Sequence, residues 1–182
     1  AVSKDFYTIS KKSKWITNSL LIKRSHLLRS EYDAILSTSK SINKDNSLLN
    51  CRIEGLDNNK PDLIIIDLKL RIKKNIKLFK KKTNRKIILV TTVNHKKKIN
   101  FLKMRGCKII FIKSLRHKED FVQLFKIMEK FKFGRILVET GLIFLNNLLK
   151  EKLISNLYIF QSHVKLGKTG KNNASNYLIK NH

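Results

Sequence analysis

Leu63-Ile64-Ile65-Ile66-Asp67 is a short, wholly apolar run closed by an acid, with Pro61, the only proline of the chain, just ahead of it. Its length and β-branched content fit a strand buried on both faces, the kind that parallel sheets are made of. Working outward, comparable runs recur at Asp33 to Leu36, Lys86 to Thr91, Lys108 to Ile112, Arg135 to Val138 and Leu157 to Phe160. The segments between several of them carry a helical period. Thr17 or Asn18 can cap a helix that runs to about Arg29, with Leu20, Leu21, Leu27 and Leu28 on its buried side. A second helix is expected from Lys96 to Arg105, stopped by Gly106, a residue suited to the left-handed cap. A third, Lys118 to Phe131, repeats apolar positions at Phe121, Leu124, Phe125 and Met128, and a fourth runs from about Gly141 to Glu151. Strands alternating with helices predict an α/β fold: a mostly parallel central sheet flanked by helices, in a single domain, with right-handed crossovers.

A chain of 182 residues with 42% apolar content is long enough to bury a core. It has no run of about 18 apolar residues to span a membrane and no basic-then-apolar start resembling a secretory signal. Cytoplasm is the expected location. Cys51 and Cys107 lack the paired spacing of a disulfide framework or a zinc site, and the five histidines show no metal-ligand spacing, so no metal is assigned. The formal charge of +27 would ordinarily suggest a nucleic-acid partner. Yet the excess comes from lysine, 32 against 8 arginines, spread along the whole chain together with abundant Asn and Ile. These are the residues of A- and T-rich codons, so a biased genome accounts for the composition without nucleic acid. The basic run Lys80 to Lys86 reads as a solvated loop between strands.

No Gly-x-Gly-x-x-Gly follows any expected strand, so the usual dinucleotide fingerprint is missing. Val138-Glu139-Thr140-Gly141-Leu142 is the best substitute. A strand ends there, a glycine allows close approach, and a helix starts with free amides and a positive dipole end where a pyrophosphate can lie. Arg29 and Arg52 make chemical sense as phosphate forks, each guanidinium offering two parallel donors.

Taken together, Ser13-Lys14-Trp15-Ile16-Thr17, Arg29, the stretch from Ser41 to Arg52 and Val138-Glu139-Thr140-Gly141 resemble, in order and spacing, the reductase half of the riboflavin-biosynthesis deaminase-reductase family. Ala1-Val2-Ser3-Lys4-Asp5 resembles the family's opening strand and turn, Ala-x-Ser-x-Asp-Gly, and Lys60 to Arg71 resembles Pro-Leu-Arg-Ile-Val-Leu-Asp-Ser-x-Leu-Arg. The resemblance implies a dihydrofolate-reductase-like fold and NADPH-dependent reduction of a phosphorylated ribosylaminouracil. It implies Ser13, Arg29, Leu49, Arg52 and Glu139 on the substrate side. On the cofactor side it implies Ala1, Trp15, Ser41, Asp45, Gly141, Leu142, Ile143, Phe144, Leu145, Asn146 and Asn147. Asp45 and Glu139 are the candidate catalytic pair. Lys69 or Arg71 would meet the adenosine 2'-phosphate. Three positions depart from the family: Phe6 stands for Gly, Leu68 for Ser, and Thr140 for a smaller residue. The resemblance covers Ala1 to about Gly167, with a short, polar remainder, so residues 1–182 are read as one reductase domain in which either the terminal strands are trimmed or the sheet lacks an edge. The His-x-Glu and Pro-Cys-x-x-Cys of the zinc deaminase half are absent from this sequence, so deamination is expected elsewhere, and family habit implies a homodimer. The rival readings are a divergent reductase for another phosphorylated or pterin-like substrate, and a basic nucleic-acid-binding protein without enzymatic activity.

Overall fold

The computed structural model describes all residues except 14, 57–60, 81–83 and 178–182, so Lys14 of the first motif and residues 81–83 of the Lys80 to Lys86 run lie outside the described residues. Two compact units are distinguished within the chain: residues 26–140, and a second unit formed by residues 1–25 with 141–182.

The middle unit holds a five-stranded, wholly parallel sheet. Its strands are β2 (Ala34–Thr38), β3 (Asp62–Ile66), β4 (Ile87–Thr91), β5 (Cys107–Phe111) and β6 (Ile136–Val138), in the order β5-β4-β3-β2-β6; β1 belongs to the other unit. Registers are unbroken across β2 and β3, from Ala34 opposite Asp62 to Thr38 opposite Ile66. β3 is central, which explains its continuous apolar run. Leu63 and Ile65 face one way, joining Ile35, Ile87 and Leu89 in one core cluster, while Ile64 and Ile88 are fully buried on the other face. Burial of each such side chain is worth about 1.5–3 kcal/mol. The first cluster is closed by Ile42 of α2 (Ser39–Asp45), Leu78 and Phe79 of α3 (Lys77–Lys80), and Ile99 and Leu102 of α4 (Lys96–Met104). α5 (Lys118–Glu129) buries Phe121, Leu124 and Met128, the period read from its sequence. Its start is held by Asp120, which accepts from the amides of Arg116 and His117 and from Ser114 Oγ; these bonds draw its carboxyl down to about 2. Gly106 ends α4 at a φ of 80°, as the left-handed cap requires. Both cysteines are buried and free, and burial pushes the Cys107 thiol up to about 12.

The terminal unit contains β1 (Tyr7–Ser10) paired antiparallel with β7 (Gly170–Asn173), and α6 (Leu142–Lys150). Val2, Leu142 and Ala174 form its small core, with Phe6, Leu145, Leu149, Leu157 and Tyr177 packed against them. The opening turn is held by Asp5, which accepts from Ser3 Oγ and from the amides of Leu166 and Gly167. Those bonds draw its carboxyl down to about 2.

Four expectations need correction. Leu157 to Phe160 is not a strand: only Gln161 forms an isolated bridge, to Val2, because the segment meets no continuous partner edge. The first strand is likewise not at Ala1 to Asp5 but at Tyr7–Ser10, after a turn through Asp5; the polar closing segment supplies its partner β7. In α1 (Ser19–Ser30), Leu20 is 70% exposed, and the buried residues are His26 and Leu28, since Asn50 gives the histidine a partner inside. Finally, Arg85 of the presumed solvated loop is buried, because three backbone carbonyls receive its guanidinium.

Candidate active site

The carboxyl ends of adjacent parallel strands are where open α/β sheets place their ligands. Leu36 of β2 lies opposite Val138, the last residue of β6, so Glu139 leaves β6 beside Ser37 of β2. Glu139 donates its amide to Leu36 O at 2.9 Å, and its carbonyl accepts from Ser37 Oγ at 2.7 Å. The backbone is thereby held on both sides, which aims the carboxylate. Arg29, near the end of α1, answers with a two-pronged bond: Nε to Oε1 at 2.7 Å and Nη2 to Oε2 at 2.8 Å. Burial works to pull the Arg29 guanidinium down, but the bond and charge of Glu139 outweigh it and raise it.

The same guanidinium reaches a loop. Arg29 Nη1 donates to Asn50 O at 3.2 Å, and His26 Nδ1 lies 3.0 Å from that oxygen. A carbonyl only accepts, so His26 Nδ1 carries the proton, and its 3.5 Å approach to Arg29 Nη1 is a meeting of two donors rather than a bond. Burial first, then the charges of Arg29 and Arg52, hold the imidazole below its ordinary range, hence neutral. His26 stands three residues before Arg29 on one helix, neighbours on its surface. That spacing was the signal sequence reasoning passed over.

Of the expected substrate-side residues, Leu49 has its side chain in the core and its backbone left-handed at φ 49°. Arg52 is exposed, and no side-chain bond or ion pair engages its guanidinium among the described residues. Ser41 sits in the first turn of α2, its amide and hydroxyl on Thr38 Oγ1, the cap of that helix, at 3.2 and 3.1 Å. Asp45 closes α2, exposed, ahead of the left-handed Asn46. Asp67, which ends the β3 run, is structural: it accepts from Ser39 Oγ and from the amides of Arg71 and Ile72, tying α2 to the chain after β3. The Leu68 carbonyl accepts from Thr92, while Lys69 and Arg71 are exposed. Thr140 Oγ1 is buried with no hydrogen-bond partner among the described residues.

In the terminal unit, Ser13 Oγ donates to Trp15 O at 2.8 Å, and the Trp15 ring is 55% exposed. Ala1 is exposed, and Val2 beside it is core. Gly141 caps α6 without any side-chain bond, and no acid stands in the first turn. Of residues 142–147, Leu142 is buried and Ile143 and Asn147 are exposed; Phe144, Leu145 and Asn146 are half-buried. Phe6, where the resembled family has glycine, adopts a φ of 62°, the glycine-favouring region. For a phenylalanine this conformation carries a backbone strain of about 1–2 kcal/mol.

This architecture, with a five-stranded parallel sheet flanked by helices and a polar cluster at its carboxyl edge, is a dihydrofolate-reductase-like α/β fold. It is similar over 94% of the chain to the riboflavin biosynthesis reductase Rib7 of Saccharomyces cerevisiae, at 26% identity and a TM-score of 0.72, covering 74% of that chain. A bifunctional deaminase and 5-amino-6-(5-phosphoribosylamino)uracil reductase from Thermotoga maritima shares the fold at a TM-score of 0.73 and 23% identity, over 97% of this chain and 46% of that one. In sequence, residues 6–180 match the RibD C-terminal domain, and the chain belongs to that family. The riboflavin biosynthesis protein RibD of Buchnera aphidicola subsp. Baizongia pistaciae is 30% identical over 173 residues, 88% of this chain and 45% of that protein. A 5-amino-6-(5-phosphoribosylamino)uracil reductase of Buchnera aphidicola subsp. Acyrthosiphon pisum is 29% identical over 170 residues, 87% of this chain and 79% of that protein. The chain spans less than half the length of the RibD proteins it matches.

Proposed function

We propose that this chain is the reductase that converts 5-amino-6-(5-phosphoribosylamino)uracil to the phosphoribitylamino product, with NADPH as the reductant. The observation that carries this reading is the family match over residues 6–180. The name of the relative matched over 79% of its length supports the substrate.

The residues present fit a dinucleotide. α6 opens on Gly141 with no capping side chain and no acid in its first turn, so its positive dipole end suits an anion, and the buried Thr140 hydroxyl has no partner among the described residues. Bound there, NADPH would supply hydride for the ribose C1 in its ring-opened imine form. In the terminal unit Ala1, Trp15 and Gly141 to Asn147 would hold the cofactor, and Ser13 the substrate. In the middle unit Ser41 and Asp45 match the resembled family's cofactor-side positions, and Lys69 or Arg71 would meet the adenosine 2'-phosphate. Arg52 supplies the uncommitted guanidinium for the substrate phosphate. Arg29 and Glu139 form the polar wall against which the sugar is oriented, and the exposed Asp45 carboxylate assists proton movement at the sugar. The protein acts as a cytoplasmic homodimer, with deamination supplied by another segment or protein.

A fluorescence titration with NADPH, NADH and a short DNA duplex, followed by NADPH oxidation with the authentic substrate, tests the reading. Selective NADPH binding, weakened by Trp15→Ala, and turnover are expected; avid DNA binding without nucleotide binding would replace it with the nucleic-acid alternative. Phe6, Leu68 and Thr140, the departures from the family pattern, favour as second reading a reductase for a related phosphorylated or pterin-like substrate. Selective NADPH binding without turnover of the ribosylaminouracil would select that one.

A further inference from the structure

Arg85 is a cation in the wrong place for a solvated lysine-rich loop. It is 8% exposed, and its Nη1 donates to Leu49 O at 2.6 Å and to Pro61 O at 3.3 Å, while Nη2 bonds Leu48 O. No carboxylate pairs with it directly; among the described residues the ion pairs are Arg29 with Glu139 and Lys86 with Asp62. Burial pulls its guanidinium down to about 10, with the Asp62 charge acting against that shift. A buried guanidinium satisfied only by neutral carbonyls is an expensive way to stabilise a core, since apolar side chains of equal volume do as well or better.

What it secures is specific. Arg85 takes the carbonyls of Leu48 and Leu49, and Arg29 and His26 take the next one, Asn50. Three successive carbonyls are thus fixed by cationic or N–H donors from two different parts of the middle unit. The middle one belongs to Leu49, whose left-handed backbone is strained for a branched side chain and persists only where its surroundings over-determine it. We infer that Arg85 is a positioning residue of the substrate site: by clamping the Leu48 and Leu49 carbonyls it sets the backbone from which the exposed Arg52 meets the phosphorylated substrate. This rests on the reductase reading above.

The test compares wild type, Arg85→Lys and Arg85→Ala. A lysine reaches one carbonyl as a point charge but cannot span two as a planar fork. KM for the phosphorylated substrate should rise about 10-fold in Arg85→Lys and about 100-fold in Arg85→Ala, as expected for misplacement of about 1 Å, with kcat within about 3-fold. NADPH affinity should stay within about 2-fold, and millimolar guanidinium should restore much of the KM in Arg85→Ala. Amide exchange measured on both variants should quicken at residues 48–52 and nowhere else in the middle unit. Arg85→Lys keeps the test open if Arg85→Ala does not fold. Loss of kcat and NADPH affinity in parallel, with uniformly faster exchange and no guanidinium rescue, would show a merely structural arginine and overturn the inference. A wild-type chain that binds no NADPH and turns over no substrate overturns the reductase reading instead, and the substrate role of Arg85 with it.

Discussion

Arg29 and Arg52 look alike in the sequence, two of eight arginines at motif positions, yet their surroundings divide the work between them. Arg29 is spent on Glu139 and Asn50, whereas Arg52 stands exposed with its fork uncommitted. Arg52→Met is therefore expected to raise KM for the phosphorylated substrate by about 10- to 100-fold with little change in unfolding temperature, because it removes a charge-assisted phosphate contact and no internal bond. Arg29→Met should instead cost about 2–3 kcal/mol of stability, leaving the Glu139 carboxylate unpaired, and this is readable by urea denaturation. Equal effects of the two would contradict the division. His26 adds a pH dependence of known sign. Its folded value lies below the ordinary 6.5, so the unfolded chain binds the proton more readily, and stability complete above that value is lost as pH falls below it. The wild-type melting temperature should drop more between pH 7.5 and 5.5 than that of His26→Asn; parallel drops would remove His26 from the account. Motif order singles out the Arg, Glu and Leu positions as candidates. The carbonyl clamp was not, because backbone oxygens carry no letter in a sequence and Arg85 is hidden in a lysine run.

At the scale of elements, the parallel strands were read correctly to within a residue or two, since buried β-branched runs depend on little beyond their own composition. The short elements were not. α2 is seven residues long and polar at its start, and it exists because Thr38 caps it and Ile42 is drawn into the core. Replacing Thr38 with Ala should cost about 1 kcal/mol and loosen the turn that carries Ser41, measurable as lower denaturation midpoint and faster amide exchange at 40–42. The β1 and β7 pair escaped notice because its strands are polar and separated by most of the chain; what joins them is packing. A Cβ at Gly170 would stand 2.3 Å from Tyr7 Cγ, so the ring lies directly over the glycine. Gly170→Ala is expected to destabilise this pair by about 1–3 kcal/mol, and the double variant with Tyr7→Ala should recover part of the loss. Full additivity would mean that the ring is not what fills the glycine's space.

At the scale of the molecule, a net charge of +27 on 182 residues sets lysine against lysine over the whole surface. Self-repulsion of this kind is screened by salt, so moving from 50 to 500 mM sodium chloride should raise stability by about 1 kcal/mol, roughly 2–4 °C in melting temperature. A fall would show that favourable surface pairs outweigh the repulsion. Among the described residues, no helix is long and apolar enough to cross a membrane. The sequence by itself determined the fold class, the order of the five parallel strands and the longer helices, and the family, because hydrophobic periodicity and motif spacing are local or linear properties. Only the tertiary structure decided which polar groups meet. Arg29 and Glu139 stand 110 positions apart, and Arg85 stands 36 from Leu49. Burial makes each of these side chains find a partner, and only the register of the packed sheet and its loops determines which one is within reach.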